Sequence, residues 1–162
     1  MEKIQPGPGQ ESVWDYPRPP RVEPSAEHIV VTLGGRVVAE TSRSLRVLET
    51  SHPPTYYLPR TAFAEGSLRA ADGSSYCEWK GVAGYLDIIG GDSIAERSAW
   101  WYPTPTPQYA VLADHVALYP GAMDACTVDG EQVTPQPGTF YGGWVTSRVV
   151  GPFKGAPGTN FW

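Results

Sequence analysis

Glycine and proline interrupt this sequence so often that a long helix has no room to form. The 162 residues include 18 glycines and 17 prolines, against roughly 12% for the two together in an average soluble protein. Proline removes a backbone donor and glycine loses the most conformational freedom on folding, so both weaken helices. The segments between them are rich in Val, Tyr, Trp and Thr, which favour strands. We therefore predict a mainly β, antiparallel fold with helical turns only near residues 60–65 and 105–114.

The composition and charge are typical of one folded, acidic domain. Hydrophobic residues make up 41% and charged residues 18% of the chain, which is enough apolar surface for a core. The formal net charge is -5 and no run of Lys or Arg could follow a phosphate backbone, so we expect no nucleic-acid partner. No apolar run approaches the ~20 residues of a membrane span, and no signal-peptide pattern is visible. We expect no membrane partner and a cytoplasmic protein.

The residues that most often bind metals are scattered along the chain. Neither Cys77 nor Cys126 belongs to a CxxC pair, and in a cytoplasmic protein both are expected as free thiols within the core. His28, His52 and His115 lack metal-ligand spacing. The sequence also has no dinucleotide, phosphate-loop, zinc-protease or serine-hydrolase motif. We predict no metal site and no cofactor.

The chain divides into three parts by composition. Residues 1–27 form a proline-rich arm, whose Trp14 and Tyr16 we expect to dock on the chain's own domain because exposed aromatic rings are unfavourable. Residues 28–133 form a β-rich core. Residues 134–162 combine glycine and proline with six large aromatic residues, and we expect this extended tail to pack on the core.

Turn signals delimit the predicted strands of the core. Gly34-Gly35 and Asp129-Gly130 each separate two β-rich runs and predict tight hairpins. A further turn is expected after residue 89. The predicted strands cover residues 28–33, 36–40, 44–48, 75–79, 82–89, 99–102, 116–119, 125–128 and 131–133.

Two charged residues lie beside apolar strands and are candidates for a functional site. Glu49 and Lys80 each end an apolar run just before a turn, where a lone buried charge is costly and usually finds a counter-ion or a ligand. We expect the two side chains to lie close together beside aromatic rings. Cys77 is a third candidate, as a nucleophile whose pKa Lys80 would have to lower, although a packed apolar cysteine is the simpler interpretation.

Four segments together resemble one protein family. Residues 49–59, 77–85, 99–103 and 128–131 match, in order and spacing, the family called domain of unknown function 427, and the resemblance covers roughly residues 28–133. It implies a compact tent-like or sandwich-like β fold. The family is also labelled nucleotidyltransferase, and no structural zinc is implied because the CxxC pairs are missing. Its recurrent positions correspond here to Glu49, Tyr57, Pro59, Cys77, Lys80, Gly81, Tyr85, Trp100 and Tyr102.

These observations favour a small-molecule-binding domain, with catalysis left open. The pocket would be lined by Tyr57, Tyr85, Trp100 and Tyr102 and polarised by Glu49 and Lys80, so that rings stack on a flat or apolar ligand while the charges orient it. One alternative is a protein-interaction or homodimerisation module that uses the aromatic arm and tail. A second alternative is nucleotidyl transfer, although Asp87, Asp92 and Asp124 lack the spacing of a metal-binding acidic pair.

Overall fold

A computed structural model describes all 162 residues and contains fifteen strands and four short 3-10 helices. The mainly β prediction is confirmed. No helix in the structure is long and apolar enough to span a membrane. The strands are β1 (Glu11–Ser12), β2 (Arg21–Ser25), β3 (Ile29–Leu33), β4 (Arg36–Thr41), β5 (Ser44–Leu48), β6 (Thr55–Pro59), β7 (Leu68–Cys77), β8 (Gly81–Gly90), β9 (Ser93–Trp101), β10 (His115–Leu118), β11 (Ala125–Val128), β12 (Glu131–Gln132), β13 (Thr134–Pro135), β14 (Trp144–Val145) and β15 (Val149–Val150). The 3-10 helices are Val13–Asp15, Arg60–Ala62, Pro107–Leu112 and Pro120–Ala122.

Two antiparallel sheets form the body of the molecule. The larger has seven strands in the order β2-β5-β6-β10-β9-β8-β7, and the smaller has four in the order β12-β11-β3-β4. The core between them contains 18 buried hydrophobic residues, among them Ile29 and Val31 from the small sheet and Leu58 and Val116 from the large one. In β3, β6 and β10 alternate residues supply this face, as half-buried antiparallel strands require.

The second face of the large sheet carries a separate cluster of eight buried residues. Leu45, Val47, Tyr57 and Ala117 belong to it. The neighbours of Tyr57 and Ala117 in sequence face the main core, so these two residues face the other way. Tyr109 and Leu112, from the 3-10 helix Pro107–Leu112, cover part of this second face. The remainder of the face is where the candidate site lies.

The arm and the tail are tied to the body and to each other. Strand β1 pairs in parallel with β15 from the tail, and β2 pairs with β5 at the edge of the large sheet. The Trp14 indole nitrogen donates a 2.9 Å hydrogen bond to the Pro152 carbonyl oxygen, and its ring contacts that of Trp162. Both cysteines are free thiols; Cys126 is buried and Cys77 is half-buried.

Candidate functional site

A cavity of about 390 Å³ opens on the second face of the large sheet. Its volume is in the range of natural small-molecule sites. All seven candidate side chains chosen from the sequence line this one cavity, although they come from five separate segments. They are Glu49, Tyr57, Cys77, Lys80, Tyr85, Trp100 and Tyr102.

Strand register explains why three of the rings meet. Tyr57 lies opposite Ala117, Ala117 lies opposite Trp100, and Trp100 lies opposite Tyr85. Directly opposed residues in antiparallel strands point to the same face, so these side chains form one row across four strands. Ala117 is the small member of that row, and its methyl group leaves space for the rings of Tyr57 and Trp100 to approach each other above it.

Hydrogen bonding and ring contacts hold Tyr57, Trp100 and Tyr102 in place along one wall of the cavity. The Trp100 indole nitrogen donates a 3.2 Å hydrogen bond to the Tyr57 hydroxyl oxygen, and the two rings are nearly perpendicular with centroids 6.5 Å apart. The Tyr57 ring also stacks on that of Tyr102 at 6.5 Å. Burial raises the pKa of both tyrosines above the usual value of 10, so both hydroxyls stay protonated.

Lys80 and Cys77 lie together at the turn that joins β7 to β8. The Lys80 Nζ is 3.6 Å from the Cys77 Sγ and 5.9 Å from the centroid of the Tyr102 ring. Gly81 follows with a φ of 106°, a left-handed conformation that favours glycine over other residues. The turn therefore holds an ammonium group and a thiol at the same wall of the cavity.

Glu49 and Lys80 line the same cavity as expected, but the expected ion pair between them is wrong. Glu49 lies 3.6 Å from the Nε of Arg18 and 3.7 Å from the Nε2 of His52, and no lysine lies within 4.0 Å of a side-chain carboxylate. Arg18 comes from the proline-rich arm, and its side chain crosses the turn to bond the Thr50 carbonyl oxygen at 2.9 Å. The arm therefore supplies the counter-ion of Glu49, while Lys80 is left without one.

His52, which was not among the candidates, contacts Glu49 inside the cavity. Its Nδ1 accepts a 3.0 Å hydrogen bond from the Gln136 side-chain amide, so its proton is on the Nε2 that faces Glu49. Burial, followed by the positive charges of Lys154, Arg18 and Lys80, lowers the pKa of His52 to about 4. The imidazole is therefore neutral near pH 7 and forms no ion pair with Glu49 there.

One comparison with known proteins identifies the family. A family model described as a domain of unknown function (DUF427) matches residues 21–129. The chain belongs to the DUF427 family. The resemblance found in the sequence is confirmed, and the matched range also includes strand β2, which composition alone had placed in the arm. No curated protein matches the chain.

The tail beyond the DUF427 region completes the cavity. Gln136, Phe140, Tyr141, Gly142 and Lys154 all line it and all follow residue 129. Gln136 is buried and fully bonded: its amide nitrogen also donates to the Lys154 carbonyl oxygen at 2.8 Å, and its oxygen accepts from the Gly143 nitrogen at 3.0 Å. The Tyr141 ring packs edge-on against His52 with centroids 4.8 Å apart.

Sequence reasoning missed these tail residues because no local pattern marks them. One signal was present: the chain has only three lysines, at positions 3, 80 and 154, and two of them line this cavity. The structure contains no group of three His, Cys, Asp or Glu side chains arranged to hold a metal ion.

Proposed function

We propose that this DUF427 protein binds a small, flat molecule in the aromatic cavity on the second face of the large sheet. The observation that carries the proposal is the convergence of Tyr57, Tyr85, Trp100 and Tyr102 with Glu49 and Lys80 in one recess of about 390 Å³. Aromatic walls with a few polar groups are the usual composition of a ligand site. The rings stack on the ligand, and the charged groups orient it.

The Glu49 carboxylate is the group placed to accept a proton in this cavity. Its oxygen lies 3.7 Å from the Nε2 of His52, whose only free lone pair, on Nδ1, already accepts from Gln136, so His52 orients Glu49 and is not itself the base. The enzymatic form of the proposal assigns the general base to Glu49, held by Arg18 and His52. Cys77, beside Lys80, is the candidate nucleophile for a covalent step.

The experiment that tests the binding proposal blocks the cavity without disturbing the core. Ser75 lines the cavity from the exposed edge strand β7, and Ser74, its exposed neighbour, does not. A panel of flat aromatic compounds is screened by thermal shift against the wild type, Ser75→Phe and Ser74→Phe. We expect compounds that stabilise the wild type and Ser74→Phe but not Ser75→Phe, because only the latter ring fills the cavity. Equal stabilisation of both variants would place binding elsewhere and contradict the proposal.

A second candidate function rests on two exposed rings. Phe161 is 99% exposed and Phe140 is 77% exposed, whereas Trp144 of the same tail is completely buried. Exposed aromatic side chains are enriched at protein interfaces, and this favours association of the tail with a partner or a second copy of the chain. Sedimentation of the wild type and a Phe140→Ser, Phe161→Ser double variant over a range of concentrations tests homodimerisation. A monomer at every concentration in both proteins would contradict it. No arrangement of residues specifically favours nucleotidyl transfer.

A further inference from the structure

Two of the three lysines in the chain project into the candidate cavity, and neither has a side-chain carboxylate partner. Lys80 and Lys154 are half-buried, and no Asp or Glu oxygen lies within 4.0 Å of either ammonium group. By contrast, Arg18, Arg21, Arg46, Arg69 and Arg148 all pair with carboxylates. Both cavity lysines therefore belong to the cations without a side-chain carboxylate partner, which also include Lys3, Arg36, Arg43, Arg60 and Arg97.

The remaining contacts of the two lysines are weak. Lys80 contacts the Cys77 thiol at 3.6 Å, and Lys154 donates a long, 3.4 Å bond to a main-chain oxygen of Trp162, the last residue of the chain. Each ammonium group also lies near an aromatic ring: Lys80 is 5.9 Å from the centroid of Tyr102, and Lys154 is 5.6 Å from that of Tyr141. An ammonium group has three donors, so most of the hydrogen-bonding capacity of both lysines remains for a ligand.

The cavity is positive in a protein that is negative as a whole. Its lining holds two ammonium groups and the single carboxylate of Glu49, and Glu49 is already paired with Arg18. The formal charge of the chain is -5. The same two lysines and Arg18, after burial, lower the pKa of His52 at this wall.

We propose that the ligand of the cavity is a flat aromatic anion, whose acidic group bonds Lys80 and Lys154 while its ring lies against Trp100 and Tyr102. This inference rests on the proposed binding function and adds the chemical class of the ligand. It also gives the tail a role, because Lys154 lies outside the part of the chain that matches the DUF427 model. The family region supplies the rings and one cation, and the tail supplies the second cation.

Two fluorescent probes separate the inference from the function on which it rests. Anilinonaphthalene sulfonate is an anion with a flat naphthalene ring, and phenylnaphthylamine has the same rings without the sulfonate. Dissociation constants of both are measured by fluorescence titration on the folded, full-length protein at low and high ionic strength. We expect the wild type to bind the sulfonate about tenfold more tightly than the uncharged probe, with a preference that shrinks as salt screens the ammonium groups.

The variants Lys80→Met and Lys154→Met test the assignment, and Lys3→Met is the matched control because Lys3 is the only other lysine and lies on the exposed arm. Each cavity variant should weaken sulfonate binding by about three- to tenfold and leave the uncharged probe unaffected, while Lys3→Met changes neither. Lys154→Arg should restore much of the sulfonate binding. Ser75→Phe should abolish binding of both probes, which locates them in the cavity.

Each outcome discriminates between the two proposals. If the uncharged probe binds as tightly as the sulfonate, or if Lys3→Met weakens the sulfonate as much as the cavity variants do, the anion assignment is overturned and the binding function stands. If neither probe binds, the binding function itself fails for aromatic ligands. If a methionine variant does not fold, the probe preference of the wild type and its salt dependence still decide.

Discussion

Ser51 holds a backbone conformation that its own side chain disfavours. Its φ is 72°, it is completely buried, and its hydroxyl oxygen has no hydrogen-bond partner. The left-handed conformation costs a residue with a Cβ about 1–2 kcal/mol, and an unsatisfied buried hydroxyl costs a similar amount. Glycine removes both penalties but loses about 0.5–1 kcal/mol of chain entropy on folding. We therefore expect Ser51→Gly to raise the free energy of unfolding by about 1 kcal/mol in urea denaturation.

Ser51→Ala is the control for this prediction. It removes the unpaired hydroxyl and keeps the Cβ, so it should raise the free energy of unfolding by less than Ser51→Gly does. A glycine variant that is less stable than the wild type would show that the turn between Glu49 and His52 is unstrained. The position matters for the site, because the Ser51 carbonyl oxygen accepts a 2.9 Å hydrogen bond from the backbone N–H of Lys154.

His52 should make the stability of the protein depend on pH. Its pKa of about 4 lies below the value near 6.5 expected in the unfolded chain. Between these values the unfolded state binds the extra proton, so stability is complete above pH 6.5 and is lost as the pH falls toward 4. The loss should reach up to about 3 kcal/mol. Unfolding measured from pH 7 to 4 should show this slope in the wild type and a flatter one in His52→Gln.

His28→Gln is the matched control, because His28 is exposed and contacts only the edge of the small sheet. It should keep the steep slope. A slope unchanged by His52→Gln would mean that the imidazole is not held neutral by Lys154, Arg18, Lys80 and burial. In that case the positive potential inferred for the cavity wall would be contradicted at His52.

At the level of elements, the tail segment that closes the cavity requires glycine at position 142. A Cβ at Gly142 would lie 2.4 Å from the ring edge of Trp100, a contact that forces either the tail or the ring to move. Overpacking of this kind typically costs about 1–3 kcal/mol. We expect Gly142→Ala to lower the unfolding free energy by that amount and to weaken binding of the uncharged probe.

Gly121→Ala provides the comparison for this substitution. A Cβ there would lie 3.4 Å from the Pro135 side chain, an ordinary contact, and Gly121 does not line the cavity. It should leave probe binding unchanged. If Gly142→Ala binds the probe like the wild type, the tail does not shape the cavity.

The sequence predicted the strands well where turns punctuate it and poorly where they do not. The hairpin around Gly34-Gly35 was visible because glycines supply the positive φ angles that the turn needs. Strand β2 was missed because Pro24 argues against a strand, yet β2 is an edge strand, where a missing donor is tolerated. The first half of β7 was missed because Asp72 and Gly73 resemble a loop; they lie at a β-bulge.

The candidate site was predictable only where its residues lie on strands that the sequence marks. Tyr57, Tyr85 and Trp100 could be chosen as strand aromatics, and strand register then placed them in one row. The partners of Glu49 could not be predicted, because Arg18 and His52 reach it through the path of the arm and a left-handed turn. Lys154 reaches the cavity through tertiary packing of the tail, which leaves no periodic signal in sequence.

At the scale of the whole molecule, Arg46 connects the arm, the edge strand and the body. Only 1% of its side chain is exposed, and its guanidinium bonds the carboxylates of Glu11 in β1 and Glu23 in β2. Glu11 also accepts from Arg148 of the tail at 3.2 Å. Removing one partner of a buried ion pair typically costs about 3–5 kcal/mol. Because Glu11 and Glu23 are one-third exposed and keep Arg148 and Arg21 as partners, we expect Arg46→Met to lose less than that, about 2 kcal/mol, in denaturant unfolding.

Arg21→Met is the control for Arg46, since Arg21 lies 3.6 Å from the same Glu23 but is exposed on the surface. It should cost less than about 1 kcal/mol. If Arg46→Met and Arg21→Met lower the free energy of unfolding by the same small amount, the arm and tail are held by their apolar contacts alone. The buried charge network would then contribute little to holding them on the body.

The central claim is that ligands bind the second face of the large sheet, and the tryptophan indole signals test it most directly. Nitrogen-15 NMR resolves indole N–H groups, and this chain has six tryptophans. During titration with phenylnaphthylamine, the Trp100 indole signal should shift, because that group bonds Tyr57 at the cavity wall. The Trp144 signal should stay unchanged, because that ring lies in the core on the opposite face. A Trp100 signal that does not move, with shifts confined to Trp14 and Trp162 where arm and tail meet, would contradict the account.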